Sequence, residues 1–93
     1  MDINWIEDFL SLADTRSFSR SASQRHASQS AFSRRIQSLE SWVGTELVDR
    51  SSNPLSLTPA GQAFRGAAVG IVQQVRQARR LSHEVPAHRT VYI

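Results

Sequence analysis

The run from Pro59 to Pro86 constrains this chain more than any other feature. Thr58 is a suitable helix cap. Pro59 fits the first helical turn, where its missing N–H costs nothing, and no further proline follows until Pro86. The spacing predicts one helix from Pro59 to about Val85, roughly 40 Å long at 1.5 Å per residue. Its apolar positions Phe64, Ala68, Ile71, Val75, Ala78 and Val85 step by four and three, with Ser82 interrupting, which makes a heptad seam. The other face carries Arg65, Gln73, Gln74, Arg76, Gln77 and Arg80. A chain of 93 residues has too little globule to cover such a helix along its length. A second copy of the chain is the expected partner, meeting it through Phe64, Ala68, Ile71, Val75 and Ala78.

Upstream, the pattern breaks into shorter pieces. Asp2 can cap a first helix whose Ile6, Phe9, Leu10 and Ala13 recur at helical spacing. Ser17 can cap a second from Phe18 to Arg25, with Phe18 and Ala22 inward. After His26-Ala27, Ser28 can cap a third, Gln29 to about Trp42. There Phe32, Ile36, Leu39 and Val43 form one apolar stripe, and Gly44 provides the left-handed stop. Glu46 to Arg50 reads as a short strand, Ser51 to Pro54 as a turn, and Leu55 to Leu57 as the returning strand. Two short helices joined by a brief turn, the second strongly amphipathic, outline a helix-turn-helix, and the hairpin beside them would be a wing. The fold class expected is mainly α: three helices plus a two-stranded wing over residues 1–58, and a long linker and dimerisation helix over 59–86. Residues 87–93 are expected to turn extended and apolar, as the start of a missing C-terminal domain.

Net charge is only +3, but every basic side chain apart from histidine is an arginine. Thr15 to Leu39 contains Arg16, Arg20, Arg25, Arg34 and Arg35 and no acid, whereas Asp2, Glu7, Asp8 and Asp14 precede it. That separation is the footprint of a nucleic-acid binder, and the guanidinium fork matches phosphate or guanine in a fixed geometry. Opposite the apolar stripe of the third helix lie Gln29, Ser30, Ser33, Arg34 and Gln37. Gln pairs bidentately with adenine and Arg with guanine, each good pair discriminating by ~1–3 kcal/mol. Short serines let a helix approach the bases, and Ser28 stands where the helix dipole favours an anion. An ordinary solvated face would be richer in Glu and Lys; this one has neither. Arg50, Ser51 and Ser52 in the wing suit phosphate or minor-groove contact, whereas Arg20 and Arg25 fit either a backbone contact or an ordinary solvated helix face.

With those pieces in place, Phe9 to Phe64 resembles the LysR-type transcriptional regulators. The resemblance rests on the Ser28-Gln29 start of the third helix, Ser33-Arg34, Ile36-x-x-Leu39-Glu40, Gly44, Leu47, Arg50 and Leu57-Thr58-x-x-Gly61. It implies a winged helix-turn-helix reading an imperfect inverted repeat in double-stranded DNA as a dimer or tetramer. It further implies a C-terminal domain that binds a small-molecule or oxidant effector. The DNA contacts it implies fall on Ser28, Gln29, Ser30, Ser33, Arg34 and Gln37, with Arg50 and Ser51 from the wing. Four positions depart from the family pattern. Ser30 stands for a usual proline, Arg25 for a leucine, Val48 for a phenylalanine and Arg16 for a glycine. Arg25 together with Ala31-Phe32-Ser33-Arg34-Arg35-Ile36 is similar to a subgroup that includes hypochlorite-responsive regulators.

Other chemistries find little footing. The chain has no cysteine, which removes disulfides and thiolate sites and fits a reducing cytoplasm. No cofactor is expected. His83-Glu84 and His88 lack the spacing of a zinc-protease helix, and no G-x-S-x-G elbow or phosphate loop supports an enzyme. Gly66-x-x-x-Gly70 copies a membrane-dimer motif, but it lies on an arginine- and glutamine-bearing helix. No apolar run approaches the roughly 20 residues needed to cross a bilayer, and the acidic MDINWIEDFL start does not read as a signal peptide. Trp5 and Trp42 are expected in the core or an interface. The chain is therefore expected to be a cytoplasmic DNA-binding regulator without membrane contact. A helical protein-interaction module would explain the heptad seam but not the outward Arg, Gln and Ser of the third helix.

Overall fold

A computed structural model describes residues 1–85. Helices α1 (Ile3–Thr15), α2 (Phe18–Gln24) and α3 (Gln29–Val43) are followed by strands β1 (Val48–Asp49) and β2 (Ser56–Leu57) and helix α4 (Pro59–Glu84). Each helix starts where a short polar side chain can take up a free N–H. Asp2 accepts from Asn4 N–H at 2.9 Å, Ser17 from Arg20 at 3.2 Å, Ser28 from Ala31 at 3.1 Å and Thr58 from Gly61 at 2.9 Å. Gly44 ends α3 in the left-handed region at φ 98°, donating to the Glu40 carbonyl. α2 ends one residue earlier than the spacing predicts, with Arg25 as its cap. α4 stops at Glu84.

One core holds these elements. α1 contributes Ile6, Phe9 and Leu12, α3 contributes Phe32, Ile36 and Leu39, and the wing contributes Leu47, Val48, Leu55 and Leu57. Phe9 meets Phe64 of α4 edge-on at 5.5 Å, and Phe18 meets Phe32 at 6.0 Å. Such pairs add to simple burial because ring edges and faces carry opposite partial charge. A hydroxyl network fastens α1 to α2: buried Ser21 lies 2.9 Å from Ser11 Oγ and 2.7 Å from Thr15 Oγ1.

The wing is an antiparallel pair with Val48 opposite Leu57 and Asp49 opposite Ser56. Its ladder is shorter than Glu46–Arg50 and Leu55–Leu57 would give, because Glu40 reaches over from α3. Glu40 Oε2 accepts from Leu47 N–H at 2.8 Å, so that donor serves α3 rather than a longer ladder, and from Val48 N–H at 3.2 Å, which points away from β2 in its pair with Leu57. On the other side Thr58 N–H donates to the Leu47 carbonyl at 3.0 Å. That carbonyl also faces Gly61, where an added Cβ would lie 1.9 Å from its oxygen. Gly61 is thus the residue that lets α4 close onto the wing.

α4 is gripped along one face from Gly61 to Val72. Ala68 is fully buried and Val72 nearly so, in line with Gly61 and Phe64. This corrects the heptad reading at one position: Ala68 faces its own core and is closed to a second chain, while Phe64 packs edge-on against Phe9 and stays partly exposed. The core face and the seam are neighbouring stripes, and four–three steps alone do not separate them. Two ion pairs flank the grip, Arg65 to Asp14 at 2.8 Å and Arg76 to Glu7 at 3.3 Å. Away from that face, Ile71 and Val75 remain 39% and 38% exposed, with Val69, Leu81 and Val85 also open to solvent. The chain measures 55 × 26 × 20 Å over its principal axes, its length set largely by this helix. No helix among the described residues is long and apolar enough to cross a membrane. The sequence expectation for residues 87–93 falls outside the described residues.

Candidate nucleic-acid interface

The buried stripe of α3 fixes which of its residues face outward. With Phe32, Ile36 and Leu39 fully buried, Gln29, Ser30, Arg34 and Gln37 stand exposed along the opposite side. No side chain of the described residues pairs with Arg34, so its guanidinium is free to meet an outside ligand. Ser30 is joined only to Ser28, by a long 3.4 Å contact. The first turn of α3 contains no acid, which leaves the positive end of the helix uncancelled.

Ser33 and Arg50 are brought together rather than presented separately. Arg50 Nη1 donates to Ser33 Oγ at 3.0 Å, its guanidinium carbon lies 4.6 Å from the Phe18 ring centre, and Nη2 sits 3.8 Å from Glu40 Oε1. A cation over an aromatic face is attracted by the ring's quadrupole. Arg50 is therefore preset at the junction of α2, α3 and the wing, with little rotamer freedom left to lose on binding. The Glu40 carboxylate is the residue that sequence reasoning missed here. It appears in the sequence only as part of a motif, although its two backbone bonds set the wing's position and its second oxygen steers Arg50.

Ser51 is engaged differently from expectation. Both its N–H and its hydroxyl donate to Asp49 Oδ1, and these bonds hold the Asp49 carboxyl below its ordinary value. Ser28 likewise spends its oxygen on Ala31 as the α3 cap. Between α3 and the wing lies an open cleft of about 710 Å³. Gln29, Ser33, Arg16, Arg20, Arg50 and Ser52 are among its walls, and no carboxylate residue lines it.

The basic stretch of the sequence is partly neutralised in space. Asp8 is fully buried and takes both of its nearest arginines: Arg25 Nε at 2.7 Å, and Arg35 through Nε at 2.6 Å and Nη2 at 3.1 Å. Arg25 also reaches Glu7 at 3.4 Å. The bond to Asp8 raises the Arg35 pKa further above its ordinary value, so this cation stays charged throughout any practical pH range. Arg25 is thus neither a purely solvated arginine nor an uncompensated one, because its charge is balanced inside the protein. That pairing also accounts for an arginine where the related pattern has leucine. Among the described residues no carboxylate pairs with Arg16, Arg20 or Arg34. Among the described residues no group of His, Cys, Asp and Glu side chains is placed to hold a metal ion.

Residues 3–62 match the bacterial regulatory helix-turn-helix protein, lysR family. The chain belongs to the LysR family. Among its LysR relatives, the Escherichia coli regulator YjiE is 41% identical over 75 residues, which is 81% of this chain and 25% of YjiE. Vibrio fischeri DarR, solved in complex with DNA, superimposes with a TM-score of 0.83 at 47% identity, covering 89% of this chain and 30% of DarR. The BenM DNA-binding domain, solved with catB site 1 DNA, gives a TM-score of 0.88 at 26% identity and covers the whole of both chains. This chain spans about a quarter of the length of the curated relatives it resembles. Those relatives are named as transcriptional regulators.

Proposed function

We propose that this chain reads a specific sequence in double-stranded DNA, with α3 in the major groove and the wing on the adjoining backbone, and so directs transcription as the recognition part of a LysR-type regulator. The observation that carries this reading is the outward face of α3. Gln29, Ser30, Arg34 and Gln37 are exposed there beside a cleft without acids. Arg34 and the two glutamines have the donors and acceptors that distinguish base pairs in the major groove. Ser33 acts jointly with Arg50, holding the wing arginine at the height of the reading helix. Ser28 contributes through the α3 N-terminus, and Ser51 through the shape of the wing turn. The solved complexes of DarR and the BenM domain with DNA support the assignment by similarity.

Two copies of the chain pair through the solvent-facing stripe of α4, centred on Ile71, Val75 and Ala78, and read the two halves of an inverted repeat. The exposed aliphatic residues support this, since a monomer leaves them in water. Tetramers, a cytoplasmic location and a response to a small molecule or oxidant belong to the complete regulator, in the portion of its relatives' length that this chain does not span.

The test is selection of this chain against random duplex DNA, followed by sequencing. Recovery of an inverted repeat is expected. Arg34→Ala should then lose about tenfold to a hundredfold on the recovered site and discriminate less at one base position, as the loss of a bidentate contact implies. Unchanged specific binding by that variant would remove α3 as the reading element.

A further inference from the structure

Arg16 sits where an arginine is badly placed for backbone reasons. It caps α1 in the left-handed region at φ 56°, donating its N–H to the Leu12 carbonyl at 2.8 Å. A side chain with a Cβ is strained there and glycine is not, so the fold gains nothing from an arginine at this point. Nor does its charge serve the interior. Among the described residues the carboxylates paired with arginine are Glu7, Asp8, Asp14 and Glu40, and their partners are Arg25, Arg35, Arg50, Arg65 and Arg76. Arg16 is exposed, lacks such a partner, and helps line the acid-free cleft between α3 and the wing, opposite Arg50 and next to Ser17 and Arg20.

We infer that Arg16 is a phosphate-contacting residue: the strained cap carries a cation into the mouth of the cleft, where it adds one sequence-independent contact to the DNA backbone beside the reading helix. The cleft suits this ligand because its walls combine cations and hydroxyls without a carboxylate to repel an anion. The inference rests on the DNA-reading proposal above and goes one residue further, separating Arg16 from the arginines that merely balance internal acids.

The experiment compares the 93-residue chain with Arg16→Gly, Arg16→Asn and Arg80→Ala, measuring binding to a duplex of random sequence across a series of salt concentrations. Gly and Asn both tolerate the left-handed conformation, so folding should be preserved or improved. Arg80 is exposed on the far part of α4 and controls for the loss of one charge. Both Arg16 variants should bind about tenfold more weakly, and the slope of log affinity against log salt should fall by ~0.9, the value for one phosphate. Arg80→Ala should leave the slope unchanged. A slope for the Arg16 variants equal to that of the unaltered chain overturns the assignment while leaving DNA binding intact. Absence of salt-dependent binding by the unaltered chain overturns the DNA-reading proposal itself, and this inference with it.

Discussion

Removing the Asp8 carboxylate strands two guanidinium groups that were oriented around it, and the cost depends on how far they can retreat. Arg25 and Arg35 keep 28% and 33% of their side-chain surface in water, so they rehydrate in part. Asp8→Ala should therefore destabilise the fold by roughly 2–3 kcal/mol, below the full penalty for an isolated buried charge. Arg76→Ala, which breaks a pair on a side chain that is 70% exposed, should change stability by less than about 0.5 kcal/mol. Urea denaturation of the two variants side by side checks the contrast; equal losses would mean that the Asp8 cluster is no more than a surface network. These pairings are what the sequence hides best. Asp8 precedes Arg25 by 17 positions and Arg35 by 27, beyond any helical or hairpin spacing, so the basic stretch reads as uniformly available. Gln29, Ser30, Arg34 and Gln37 were legible because a single local rule decides them: three buried apolar side chains on α3 leave the opposite side out.

At the level of elements, local chemistry made the starts and stops readable. Asp2, Ser17, Ser28 and Thr58 cap helices as their side chains predict, and Gly44 ends α3. The wing was readable in outline but not in extent, because a carboxylate from another element competes for its N–H groups. Glu40→Ala should leave the Leu47 and Val48 donors unsatisfied and cost about 2–3 kcal/mol, with Glu40→Gln losing less because one acceptor remains. It should also weaken DNA binding beyond what stability explains, because Arg50 loses one of its guides. If chemical denaturation finds Glu40→Ala within 0.5 kcal/mol of the unaltered chain, on the scale of a neutral surface change, the clamp is not structural. Gly61→Ala meets backbone rather than a yielding side chain, so α4 must shift away from the wing. A loss of about 1–3 kcal/mol is expected in the same assay. Unaltered stability there would mean that the Leu47 segment moves freely.

For the molecule as a whole, the question is what covers the exposed stripe of α4 that runs from Ile71 onward. If a second chain does, the melting temperature should rise with protein concentration, since anything that binds only the folded state stabilises it by mass action. Ile71→Asp should abolish that dependence and leave a monomer by light scattering. A variant still dimeric would move the interface off the stripe around Ile71 and Val75. The seam was legible as a periodic pattern, yet its upper boundary was not. Ala68 and Phe64 satisfy the same spacing as Ile71 and Val75, and only the packing of α1 decides which side they serve.

The contact between Gly61 and the Leu47 carbonyl makes α4 a spoke welded to the hub that carries α3. Beyond Arg76 the spoke has no further bearing on that hub, and an α-helix advances by about 100° for every residue. One residue inserted or deleted directly after Arg76 leaves Ile71 and Val75 in place but turns Ala78 and every later position by that angle about the axis. In a pair of such chains joined along that stripe, the residue count would thus set how much of the stripe stays in phase with the hub that carries α3.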